Sequence, residues 1–153
     1  MPEAASATGI GNPTERVVLT VSGKIGVTNG DGVARFDMPM LEALGITRIE
    51  TMTPWYPNKV VFEGVRLDKL MTLLGANGSL VTAVALNDYS ADIPIGDFAA
   101  HGPILSVKRD GQYMSVREKG PLFIVYPFDA DPGLRSERYY SRSVWQVKEL
   151  VVK

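Results

Sequence analysis

Val60-Val61-Phe62-Glu63-Gly64-Val65-Arg66-Leu67-Asp68-Lys69-Leu70-Met71-Thr72-Leu73-Leu74-Gly75 changes its periodicity part-way along. Val60-Val61-Phe62 is β-branched and aromatic, which favours an extended segment. From Leu67 the apolar residues recur at helical spacing, as Leu67, Leu70, Met71 and Leu74, and Gly75 follows as a C-terminal stop. A stripe of this kind is the core-facing side of a short helix.

Upstream, Thr51-Met52-Thr53-Pro54-Trp55-Tyr56-Pro57 interrupts a strand expected from Arg48 to Thr51. Each proline blocks helix and removes a sheet donor, and the residues before them are pushed toward extended geometry. Two large aromatics therefore sit on a stiff, irregular segment, either to plug the core or to face a flat ligand. Further back, Val17–Val21 reads as a strand, Ile25–Phe36 as a hairpin around Asn29-Gly30-Asp31-Gly32, and Met40–Leu44 as a short helix.

Downstream, Thr82–Leu86 is a strand ending in the polar run Asn87-Asp88-Tyr89-Ser90-Ala91-Asp92. A short helix near Asp97–Ala100, a hairpin over Ile104–Val116 turning at Asp110-Gly111, and a strand over Leu122–Tyr126 follow. Phe128–Tyr140 reads as a long loop and Ser143–Val152 as a closing strand. Many strands, few short helices and no repeated βαβ order predict an α+β domain, β-rich, with a mixed sheet. Residues 1–15, small and polar, are expected to be a flexible leader, and residues 16–153 a single domain.

Composition narrows the function. With 153 residues, 45% apolar, 22% charged and a net charge of −1, the chain has ordinary globular character. It lacks the basic stripe of a nucleic-acid or membrane-surface binder and any apolar run long enough for a membrane helix. There is no cysteine, which excludes thiol catalysis, disulfides and a protein thiolate on a metal. The single histidine, His101, is expected at a helix end, where its charge favours the helix dipole. Asp129-Ala130-Asp131 lacks the glycine and distal glutamate of a calcium loop. Polar and aromatic residues do gather at strand ends, where a rigid scaffold presents binding loops.

Five segments in order resemble one family. Leu19–Ile25, Phe36-Asp37-Met38 with Leu41, Phe62–Leu67 with Leu70, Met71 and Gly75, Gly120-Pro121-Leu122 with Pro127, and Ser141-Arg142-Ser143-Val144-Trp145 resemble the successive signatures of the sulfite-oxidase-type molybdopterin-binding domain, across residues 17–152. That family's metal-binding cysteine would fall around Thr51-Met52-Thr53, where none stands. Glu50–Trp55, Leu86–Tyr89 and Arg117–Leu122 resemble a cysteine-free subgroup, the PruR-type periplasmic pterin-binding proteins.

The resemblance implies a sulfite-oxidase-like fold, a periplasmic location and no catalysis. It implies a free reduced pterin, dihydro or tetrahydro, as ligand, and a relay to a membrane receptor that makes or degrades cyclic di-GMP. A pterin is a flat bicycle with a donor edge and a 4-oxo acceptor, so its pocket needs an aromatic face and a carboxylate. Trp55, beside Thr53, is the expected stacking face. Asp88, then Asp92, is the expected carboxylate, with Asn87 and Tyr89 beside it and Arg117 for the oxygen. Ser141, Arg142 and Ser143 fall where the enzymes hold the dithiolene and phosphate end of their cofactor, and Arg142 is alternatively exposed for the partner. Trp145 is expected in the core rather than as a pocket wall. The alternatives are a molybdopterin oxidoreductase without a protein thiolate, or an interaction module using Phe128–Tyr140.

Overall fold

In the computed structural model, which describes residues 10–153, the opening stretch is where one sheet hands over to a helix. Strand β4 (Tyr56–Arg66) is the longest in the protein and runs directly into helix α2 (Leu67–Leu73). Leu67, Leu70, Met71 and Leu74 are buried, as their spacing predicts. β4 lies inside an antiparallel sheet, between β3 (Thr47–Thr53) and β7 (Ile104–Arg109). β7 also pairs with β8 (Gln112–Tyr113) and β9 (Phe123–Val125).

The second sheet has the order β2-β1-β10-β5-β6. It contains β1 (Leu19–Gly23), β2 (Ala34–Phe36), β5 (Leu80–Ala85), β6 (Ser90–Pro94) and β10 (Val147–Val152). β1 and β10 run parallel and the other neighbours antiparallel, so this sheet is mixed. Helices α1 (Met38–Ala43), α3 (Gly96–His101) and α4 (Glu137–Arg142) complete the α+β architecture with α2.

Several expected boundaries move. The hairpin expected over Ile25–Phe36 has β1 and β2 as its arms, and residues 24–33 form the connection. Asn29 closes that connection with its side chain, bonding both the N–H and the carbonyl of Arg35. Thr51–Pro57 is a tight hairpin rather than an irregular loop, with Pro54-Trp55 at its tip and Pro57 inside the exposed end of β4. Phe128–Tyr140 is no plain loop: it holds a 3-10 turn (Pro132–Leu134) and the start of α4. Phe128 and Leu134 are buried and Tyr139 and Tyr140 half-buried, while Arg135 and Arg138 are exposed. The closing strand begins at Val147, not Ser143. Of the expected leader, residues 1–9 lie outside the described residues. Residues 10–15 are held to the domain by the N–H groups of Thr14 and Glu15 bonding Asp37, and by the Gly11 carbonyl accepting from Asn29.

Asp37 joins three of these segments. Its carboxylate caps α1 through the Met40 N–H at 2.9 Å and also takes the two N–H groups of Thr14 and Glu15. The Met40 bond leads in holding its carboxyl below the usual carboxylate range, against an opposing desolvation effect. A depressed carboxyl contributes stability above its unfolded pKa and loses it as pH falls through the folded value. The expected result is that Asp37→Asn is less stable than wild type at neutral pH. The two proteins then converge in urea melts taken between about pH 5 and pH 2. Curves that stay parallel would contradict this role.

The sheets meet at residues 144–147. On one side this strap bonds the second half of the antiparallel sheet: the Ile124 N–H donates to the Val144 carbonyl, and the Val147 N–H to the Leu122 carbonyl. On the other side the Leu86 N–H, just past β5, donates to the Gln146 carbonyl. The strap thus brings the β3–β4 tip, the β5–β6 turn and α4 to one place.

Candidate functional site

At that junction lies a cavity of about 430 Å³, within the usual range for small-molecule sites. Its walls are aromatic: Trp55 from the β3–β4 tip, Tyr89 from the β5–β6 turn, Tyr140 from α4 and Trp145 from the strap. Ala85 and Val144 add apolar surface. The polar lining is Asn87, Glu137, Ser141 and Ser143.

Trp55 answers the question its sequence raises in both senses. It is half-buried and packs edge-on against Phe123 at 5.5 Å, Trp145 at 5.6 Å, Tyr140 at 5.8 Å and Phe128 at 6.1 Å between ring centres. It is a plug over the sheet and a wall of the cavity at once. Trp145 has the same double character, since it bridges to Phe123 and lines the cavity. Behind Trp145 stands the ammonium of Lys119, 4.6 Å from the ring centre, a cation–π contact.

The polar groups differ in what they have left to offer. The Asn87 side-chain carbonyl accepts from the Tyr89 N–H, and its amide N–H₂ has no partner among the described residues. The Ser141 and Ser143 hydroxyls donate to the Arg138 and Tyr139 carbonyls, which leaves each with acceptor lone pairs. Ser143 is buried. Glu137 has no ion pair among the described residues, and no Lys or Arg lines the cavity. The cavity therefore presents acceptors, one carboxylate and one amide donor between flat walls.

Of the residues expected from sequence, Trp55, Asn87, Tyr89, Ser141 and Ser143 converge on the cavity. Asp88 does not: it occupies the left-handed region at φ 69° in the β5–β6 turn, with its side chain in solvent 3.2 Å from Lys148. Such a turn position suits Asp for local reasons alone. Asp92 lies further along β6, where it accepts from the Thr82 hydroxyl across the strand pair at 2.6 Å. Arg117 is exposed on a 3-10 turn (Val116–Glu118) and does not line the cavity. Thr53 lies on the other side of Pro54, where its hydroxyl oxygen accepts from the Trp55 N–H.

Arg142 points neither into the cavity nor out to a partner. Its guanidinium donates to the Asp97 carboxylate at 2.7 Å, and that carboxylate also accepts from the Tyr126 hydroxyl at 2.9 Å. Burial, followed by the Asp97 charge, raises the Tyr126 phenol far above its ordinary value. This buried network fixes the end of α4, and with it Glu137, Tyr140 and Ser141. His101 ends α3, as expected, with Nε2 3.5 Å from the Tyr139 hydroxyl.

Sequence reading missed Glu137 and Tyr140 because it took their segment for a loop. The available signal was Ser136 followed by an acidic first turn, a helix-start pattern.

No protein-family model matches the chain, and no curated protein matches it. Among solved structures, the chain is similar to the sulfane dehydrogenase SoxCD from Paracoccus pantotrophus, at 14% identity and a TM-score of 0.61. The match covers 88% of this chain and 37% of that one. The α+β fold, with its two sheets, is sulfite-oxidase-like and shared with part of that dehydrogenase. At this identity the likeness is one of fold, and function has to be argued from the site.

The cofactor class this fold implies does not fit the residues present. Where the resemblance places the metal's thiolate, Thr51 is fully buried, donating to the Met52 carbonyl and accepting from the Asp129 N–H. Met52 carries a thioether, which has no proton to lose. Among the described residues no group of three or more His, Asp or Glu is placed to hold a metal ion. At the 141–143 end, where a phosphate would lie, Arg142 is committed to Asp97 and both serine hydroxyls to carbonyls. The one charged group lining the cavity there is Glu137, which repels a phosphate.

Proposed function

We propose that this protein is a non-catalytic binding protein for a free reduced pterin, with the ring held in the aromatic cavity. The observation that carries the reading is the lining itself: flat walls from Trp55, Tyr89, Tyr140 and Trp145 around the unpaired carboxylate of Glu137. A pterin's 2-amino group and neighbouring ring N–H form two parallel donors, which a carboxylate accepts well. The amide N–H₂ of Asn87 is the matching donor for the 4-oxo group. The role assigned from sequence to Asp88 and Asp92 thus passes to Glu137. A pterin with no phosphate at the 141–143 end avoids the repulsion that the full cofactor would meet from Glu137 there.

The relay is part of the same proposal: the loaded protein, in the periplasm, signals to a membrane receptor that makes or degrades cyclic di-GMP. Its support is the resemblance of the motifs around Trp55, Asn87 and Gly120. No helix among the described residues is long and apolar enough to cross a membrane, so the reading assigns membrane contact to the receptor.

Glu137 supplies the test. Its side chain makes no ion pair or hydrogen bond among the described residues, so Glu137→Gln is expected to cost at most about 0.5 kcal/mol of stability, the charge's contribution at the start of α4. It should weaken dihydropterin binding by about 1–2 kcal/mol, the scale of a charge-assisted hydrogen bond. Equal affinity in calorimetry for wild type and variant would remove Glu137 from the site.

A further inference from the structure

Beyond Tyr140 and Pro54, which it shares with the aromatic cavity, lies a second hollow of about 550 Å³. Its character is opposite. Instead of one unpaired carboxylate between aromatic rings it presents Lys59 and Arg135 around Asp129. The Asp129 carboxylate is already engaged: it accepts from the Met52 N–H at 3.2 Å and from Arg135 at 3.4 Å, and Lys59 stands 3.6 Å away. The two cations exceed it by one charge.

Both cations also keep donors in hand. Arg135 spends its Nε–H on the Phe128 carbonyl at 3.1 Å and one terminal N–H on Asp129, leaving three of the five guanidinium hydrogens. Lys59 makes only the long ion pair, beyond hydrogen-bond distance, among the described residues. The Phe128 bond also fixes the Arg135 stem, so the guanidinium is held at the rim rather than free in solvent.

We infer that the hollow lined by Lys59 and Arg135 is a subsite for an anionic substituent, a carboxylate or a phosphate, on the heterocycle held in the adjoining cavity. The inference rests on the pterin reading and adds the tail chemistry to it. The pair of hollows is polarised: the carboxylate of Glu137 meets the donor edge of a ring, and the excess cation meets an acid on its far side. A neutral tail would leave the second hollow to water. An acidic tail would take the free N–H groups of Arg135 and the ammonium of Lys59, with Tyr140 and Pro54 as the wall between ring and tail.

Calorimetry of the full chain under argon tests this with three probes: hydroxymethyl-dihydropterin, its phosphate ester, and dihydrofolate, whose tail ends in carboxylates. At low salt at least one acidic probe is expected to bind roughly fivefold tighter than the neutral one, the scale of exposed charge pairs. The preference should fade at high salt. Preference for the ester alone identifies phosphate, and preference for dihydrofolate alone identifies carboxylate. In Lys59→Gln/Arg135→Gln the ratio of acidic to neutral affinity should fall to about one, and Lys59→Gln alone, which leaves the Phe128 bond in place, should give an intermediate ratio. Equal binding of all three probes by wild type, or a ratio that survives both substitutions, overturns the subsite and leaves the pterin reading standing. Failure of every probe to bind overturns both.

Discussion

Gly64→Ala is expected to destabilise the protein by about 3 kcal/mol, at the upper end of overpacking effects. A Cβ at Gly64 would lie 2.0 Å from the Leu105 carbonyl oxygen and 2.6 Å from the Ser106 Cα. These neighbours are backbone, so no flexible side chain can swing aside. The contact sits where the β4–β7 register shifts between Glu63 and Gly64, in the interior of the antiparallel sheet. Val65 and Leu105 beside it are fully buried, so parting the strands would also loosen the core. Urea denaturation should show a lower midpoint with an unchanged slope. A change within about 0.5 kcal/mol, ordinary for a surface site, would mean that the strands are not this close.

Trp55→Ala is expected to produce two losses. The side chain packs against Phe123, Phe128, Tyr140 and Trp145, and removing a half-buried ring from such a cluster should cost about 2–3 kcal/mol of stability. A variant that merely loses the stacking face would keep its stability, and the observed packing rules that out. Pterin affinity should fall by a further 1–3 kcal/mol, about what stacking a base on an aromatic contributes. Trp55→Phe separates the two losses. It retains a ring for Phe123 and Tyr140, so most of the stability should return, while the smaller face should restore affinity only in part. Unchanged affinity in Trp55→Ala, beside the expected loss of stability, would make Trp55 a core plug and nothing more.

These two residues also mark what could be read from the sequence. Gly64 stands in the stretch whose change of period declares the fold. A strand of β-branched and aromatic residues followed by Leu67, Leu70, Met71 and Leu74 has few other solutions, and the helix and its buried face follow from it. Trp55 was legible as a site residue because two prolines around a large aromatic admit few conformations. That the tip is a two-residue hairpin turn was less legible, because Pro57 in a strand is tolerated only where the strand end is unpaired or exposed, and its neighbours in space decide that.

The carboxylate of the proposed site was harder to read, because its one local signal, Ser136 before an acidic first turn, marks a helix start and not a site. Asp88 stands in a conspicuous polar run, but its conformation at φ 69° and its contact with Lys148 satisfy it locally. Glu137 stands on α4, a helix of six residues with no apolar stripe long enough to show a period. That helix is held by Arg142 on Asp97 and by Ser143 on the Tyr139 carbonyl, contacts with partners that lie far off in sequence or reach back into the helix itself. The Arg142–Asp97 pairing, 45 residues apart, leaves no local pattern. The direction of Arg142, inward to Asp97, was hidden for the same reason.

The measurement that bears most directly on the central claim is a titration of the metal-free protein with oxidised, dihydro and tetrahydro pterins under argon, followed by tryptophan fluorescence and calorimetry. Trp55 and Trp145, the two tryptophans of the chain, both line the cavity, so a ring entering it must alter the emission. The account predicts saturable binding of the reduced forms at micromolar concentration or below, with a fluorescence change that saturates together with the heat. Absence of binding by every pterin, in a protein whose fold and melting are intact, would contradict it.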